Sequence, residues 1–193
     1  MSFTKLYNAV QDQKRVISTR WLKEQAIALS TITLVKEQWS GVLDIASVRG
    51  FYVEGPIGPP VPLAATESLI VLARAMCLGP LGDHWRRIVY TKELMHVFDD
   101  PDEKADTPEK FDVQIEKFGD PTKPMSPQFR AEQKAAWRAM MALCPESRRL
   151  EYKAQIAASE ISHDVVASAL RIPVAFAREL MRDDFEAVTA NLK

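Results

Sequence analysis

The residues with the clearest capacity for chemistry lie in the run Tyr90-Thr91-Lys92-Glu93-Leu94-Met95-His96. On a helix, positions i and i+4 share a face. Two histidines at that spacing hold one divalent ion, while a glutamate directly after the first polarises a metal-bound water. Here Glu93 and the second histidine position, His96, are in place, and Lys92 stands where the first ligand belongs. A lysine ammonium has no lone pair to donate, so Lys92 repels a divalent cation and is suited instead to neutralise a neighbouring carboxylate.

Further along the chain Glu132, Ala135, Ala139, Leu143 and Pro145 fall at relative positions 0, +3, +7, +11 and +13. Together with the strand, loop and Arg86-Arg87 approach to the first motif, this pattern resembles the ImmA/IrrE family of zinc metallopeptidases over residues 40 to 147. In that family a downstream glutamate, in a pattern close to E-x-x-A-x-x-F-A-x-x-L-L-M-P, supplies the third zinc ligand. The resemblance implies that Glu93 matches the catalytic glutamate, His96 the second ligand and Glu132 the third. It also implies two departures: Lys92 at the first-ligand position, as a site-occupying cation that can pair with Glu93 or Glu132, and Arg138 where the family usually carries an aromatic.

The resemblance implies a metallopeptidase-like protein, and the departure at Lys92 sets the expectation that it lacks standard zinc peptidase activity and a bound cofactor. The family's setting implies bacterial regulation through contacts with a protein partner of the repressor type. An alternative keeps the enzyme. His96 with Asp100 or Asp99 and Glu132 forms a ligand set shifted by one turn, oxygen-rich and better suited to a hard ion such as manganese than to zinc. His84 is a further substitute ligand through space. In the plainer reading Asp99, Asp100 and Asp102 only end a helix in solvent. A third possibility is DNA contact by the C-terminal helices, where Leu170-Arg171-Ile172-Pro173 breaks two helical segments as in a helix-turn-helix. Arg171 and Arg178 would carry it, but Glu179, Asp183, Asp184 and Glu186 interleave with them, and phosphate binding demands a less balanced face. His163 opens a helix and receives no chemistry.

The elements that must position these residues are legible in outline. The pattern predicts an α+β fold: a zincin-like scaffold with a small sheet packed on a motif-bearing helix, then a mainly helical C-terminal part. Within a first domain, 1–147, helices fill 1–49, sheet and motif helix fill 50–100, and the Glu132 helix spans 128–144; residues 148–193 form a helical extension. Apolar spacing predicts one or two helices from Trp21 to Trp39, although Thr31-Ile32-Thr33 weakens it locally. A short helix follows over Val42–Ala46 with Gly50 as its C-terminal glycine. Phe51–Glu54 and Glu67–Ala73 read as strands, separated by a loop that its prolines keep irregular. Asp83 is a candidate cap for a helix from Trp85 to Phe98. A short amphipathic segment around Phe111, Val113, Ile115 and Phe118 leads to a loop over 121–127, and Pro145 stops the Glu132 helix.

The 193 residues suffice for one substantial core. A net charge of -1 gives no global attraction to nucleic acid or anionic membrane. Cys77 and Cys144 both sit in apolar runs, as buried free thiols do. Without a leader-like N-terminus or an apolar run of roughly 18 residues, a reduced cytoplasmic setting is expected.

Overall fold

The computed structural model describes residues 3–59, 61–103 and 127–192. The amphipathic segment around Phe111 and the loop over 121–126 lie outside the described residues. Three strands form one small sheet: β1 (Leu34–Ser40), β2 (Gly50–Glu54) and β3 (Glu67–Ala73). Their order is β1-β3-β2, with β1 parallel and β2 antiparallel to β3. Around it run α1 (Phe3–Gln11), α2 (Thr19–Ala28), α3 (Gly82–Met95) and α4 (Pro127–Leu143). Then follow α5 (Glu146–Ala157), α6 (His163–Leu170), α7 (Val174–Leu180) and α8 (Phe185–Thr189). The architecture is α+β with a small sheet, as the sequence pattern predicts. No helix among the described residues is long and apolar enough to cross a membrane.

The central strand β3 is apolar on both faces, so it needs cover on both. Ile70 and Leu72 point towards α3 and join the main core, while Leu69 and Val71 form a smaller cluster with Leu63 beneath the proline-containing loop. The main core continues through α4 into Val166, Leu170, Ile172, Leu180 and Phe185, so the C-terminal helices are packed into it. Helix α3 buries Ile88, Val89, Leu94 and Met95. Against it α4 presents Ala135 and Ala139, both fully buried. Small side chains at that spacing let two helix backbones approach closely, and the approach brings Glu132 alongside the motif.

Several expectations are corrected. Helix does not continue to Trp39: Ser18 caps α2 by accepting from the Trp21 amide at 3.1 Å, α2 ends at Ala28, and the chain turns into β1. The β-branched residues Thr31, Ile32 and Thr33 mark the change, and pairing along the whole edge of β3 outweighs the weak helical spacing. Val42–Ala46 is a turn organised by Asp44, whose carboxylate accepts from the Ala46 amide at 3.0 Å and the Ser47 hydroxyl at 3.2 Å. Gly50 is no helix terminator. It opens β2 at a point where a Cβ would lie 2.9 Å from Val89 Cγ1, so its smallness lets the sheet sit down on α3. Asp83 does not cap α3 by a hydrogen bond; Leu81 is the N-cap residue and Asp83 lies in the first turn, a favourable place for a carboxylate. Cys77 is exposed, in a 3-10 turn after β3, and only Cys144 is buried.

Candidate functional site

Helix α3 delivers Lys92 and Glu93, and its last turn tightens into a 3-10 segment, His96–Phe98, that swings His96 and Asp99 under α4. Helix α4 contributes Glu132 and Arg138. The Lys92 ammonium donates to Glu93 Oε1 at 3.0 Å and is also paired with Glu132 Oε2. His96 Nε2 faces Glu132 Oε1 at 3.4 Å and Glu93 Oε2 at 3.7 Å, without hydrogen-bond geometry to either. Its Nδ1 bonds Asp99 Oδ2 at 2.6 Å, and Asp99 in turn accepts from Arg138 Nη1 at 3.2 Å. Sequence reasoning thus named four residues that the fold does bring together: Lys92, Glu93, His96 and Glu132.

Three cationic side chains and three carboxylates are interleaved here, and the side chains of Glu93 and Asp99 are only 2% exposed. Burial disfavours the imidazolium of His96, but the hydrogen bond with Asp99 and the Glu132 carboxylate outweigh it and hold its pKa up at about 10. Lys92 follows the same logic: desolvation opposes its charge, and Glu93 and Glu132 together raise its pKa above the ordinary lysine value. For Glu132, desolvation is overcome by His96 and Lys92, which hold its carboxyl below the usual range.

Sequence reasoning missed two contributors. Asp99, a helix end in solvent or an optional ligand by its sequence position, is buried and ties His96 to Arg138. An aspartate three residues after a histidine, with an arginine on the helix that packs against it, is the available signal. The other is Tyr52 of β2, whose ring stacks on His96 with centroids 5.9 Å apart and planes at 23°, and whose hydroxyl donates to Glu54 Oε1 at 2.8 Å. Burial, then the charge on Glu54, raises the Tyr52 pKa, so it stays a neutral phenol. Nothing in the local sequence ties Tyr52 to His96; register does, since Tyr52 pairs with Ile70 on the face turned to α3.

The remaining candidates lie elsewhere. Asp100 has a side chain 76% exposed and sits 3.9 Å from Lys134. His84 stands three helical turns before His96, about 18 Å along α3, too far to replace a ligand. His163 is the first residue of α6, whose N-cap is Ser162. Arg171 occupies a left-handed conformation (φ 56°) at the end of α6, and its guanidinium approaches Asp83 at 3.8 Å. Arg178 is exposed on α7.

The donor set can be tested against zinc on its own chemistry. A zinc site of the HExxH type needs three protein ligands at about 2.0–2.2 Å and an open fourth position. His96 Nε2 and Glu132 offer two donors, but the third position holds an ammonium that pairs with Glu132 as well as Glu93. A dication there would have to displace a cation and accept one ligand fewer. These residues do not fit zinc held in the HExxH manner. No known protein family, curated protein or solved structure matches this chain.

Proposed function

We propose that this chain is an ImmA/IrrE-type, metallopeptidase-like protein that lacks standard zinc peptidase activity and acts in bacterial regulation through contacts with a protein partner of the repressor type. The observation that carries the reading is the Lys92 ammonium, paired with both Glu93 and Glu132 at the place a first metal ligand would occupy. Hydrolysis needs a polarised water and a free general base. Here Lys92 is bonded to one oxygen of Glu93 and His96 faces the other, so the carboxylate is not the free group that activating a water requires. The Ala135 and Ala139 face that seats α4 on α3 supports the same reading, because it puts Glu132 at the motif as the resemblance implies.

The test is metal analysis of the chain purified without chelator, side by side with Lys92→His. The expected result is far less than one zinc or manganese per chain in the unaltered protein and about one zinc in Lys92→His, lost again in Lys92→His with His96→Ala. Stoichiometric metal in the unaltered chain that disappears with His96→Ala would overturn the inactive reading. Failure of folded Lys92→His to take up zinc would overturn the metallopeptidase-like reading of the scaffold.

A further inference from the structure

A different face of α3 from the one that carries Lys92 borders a cleft. This cleft of about 700 Å³ opens between the segment leading into α2, α2 itself, strand β1, α3 from Asp83 to Tyr90 and the end of α6. That is the size range of small-molecule sites. Five cationic side chains line it, Arg20, Lys23, Arg86, Arg87 and Arg171, against three carboxylates, Glu24, Glu37 and Asp83.

Pairing leaves the excess in one place. Arg20 is held by Glu24 at 3.0 Å and Lys23 by Glu37 at 3.0 Å. Three guanidiniums remain for Asp83 alone. It lies 3.8 Å from both Arg86 and Arg171, and all three of these side chains are more than half exposed. Arg87 has no carboxylate partner among the described residues. It is 9% exposed, and it donates from Nη2 to the Ile17 carbonyl at 2.6 Å and from Nε to the Leu170 carbonyl at 2.9 Å. Two backbone carbonyls orient the guanidinium but do not cancel its charge. A buried cation without a counter-ion is costly, and a fork with donors to spare beside two further guanidiniums is the arrangement that grips a phosphate.

The other wall is apolar and aromatic. Trp39 of β1, with Leu72 beside it in register on β3, turns its side chain to the cleft and remains 38% exposed. Tyr90 closes the floor, its hydroxyl bonded to Glu37 at 3.2 Å. We infer that this cleft binds a small organic phosphate of nucleotide size, its phosphates held by Arg86, Arg87 and Arg171 and its flat ring placed against Trp39. This goes beyond the function proposed above and uses none of the Lys92 cluster. It also gives Arg171 a role other than DNA contact.

The experiment is calorimetric titration of the full chain with ADP, pyrophosphate and adenosine at low ionic strength. ADP is expected to bind one per chain, pyrophosphate more weakly and adenosine more weakly still. Arg86→Gln and Arg171→Gln, both surface changes, should each weaken ADP at least tenfold. Trp39→Ala should weaken ADP but leave pyrophosphate unchanged, and Arg182→Gln, remote from the cleft, should change neither. Arg87→Met is avoided as the main probe because its carbonyl bonds also hold the fold. Absence of ADP and pyrophosphate binding, or ADP binding indifferent to Arg86→Gln and Arg171→Gln, would overturn the phosphate site. Pyrophosphate binding as tightly as ADP would overturn the role given to Trp39.

Discussion

Replacing Lys92 with methionine keeps most of the apolar stem and removes the ammonium, with its charge and its N–H donors. At 3.0 Å from Glu93, with an effective dielectric constant near 20, the ammonium–carboxylate attraction is about 5.5 kcal/mol before desolvation, and Glu132 adds a second pairing. Desolvation cancels much of this, yet removing one member of a buried pair typically costs about 3–5 kcal/mol because the partner's charge stays behind. Lys92 and Glu132 retain 22% and 25% side-chain exposure, which places the expected loss at the lower end, about 3 kcal/mol. Glu93→Gln should cost less, about 1 kcal/mol, since Lys92 keeps Glu132. The double variant restores the balance of charge and should cost about 2 kcal/mol rather than the sum, a coupling of about 2 kcal/mol. Urea unfolding at pH 7, followed by tryptophan fluorescence with m compared across the set, measures all three. A Lys92→Met chain within about 0.5 kcal/mol of the parent, or a double variant equal to the sum of the singles, would refute the claim that the ammonium holds these carboxylates together.

The folded pKa of His96, about 10, exceeds its unfolded value of 6.5, so the stability it contributes is complete below about pH 6.5 and is lost as pH rises towards 10. Imidazole proton shifts should show His96 still charged at pH 8, and a midpoint near 6.5 would contradict this assignment. In thiol labelling of the native chain, exposed Cys77 should react at once. Cys144, buried and with its thiol pushed up to about 12, should react only on unfolding, and two rapid equivalents would be inconsistent with its burial. Gly82→Ala should destabilise by about 1–3 kcal/mol despite the usual helix preference for alanine, because the new Cβ would stand 2.6 Å from the Cys77 carbonyl oxygen; a higher melting temperature would count against it.

Local rules read the long elements well. The apolar stripe of α3, the Pro145 stop after α4 and strands β2 and β3 follow from periodicity and breakers, because side chains a turn apart must share the buried face wherever the helix lies. They failed at β1, where the helical spacing after Ala28 is real but weak and the open edge of β3 offers seven residues of pairing. They failed again at Cys77, whose apolar neighbours include Leu78, itself 83% exposed in the turn.

The same division holds for the sites. Sequence by itself determined that Lys92, Glu93 and His96 share one helix end, and the spacing of Ala135 and Ala139 determined which face of α4 carries Glu132, since both are consequences of one element's period. Only the tertiary structure decided what those residues meet. Asp99 turns inward because the helix tightens at His96 and Arg138 waits across the interface, and Tyr52 reaches His96 through sheet register. The cationic cleft draws its lining from residues as far apart as Val16 and Arg171, and Arg87 is anchored by carbonyls of Ile17 and Leu170. Its excess charge has no trace in a chain whose total is -1, because net charge sums over the whole surface while a ligand responds to the few groups that folding gathers around it.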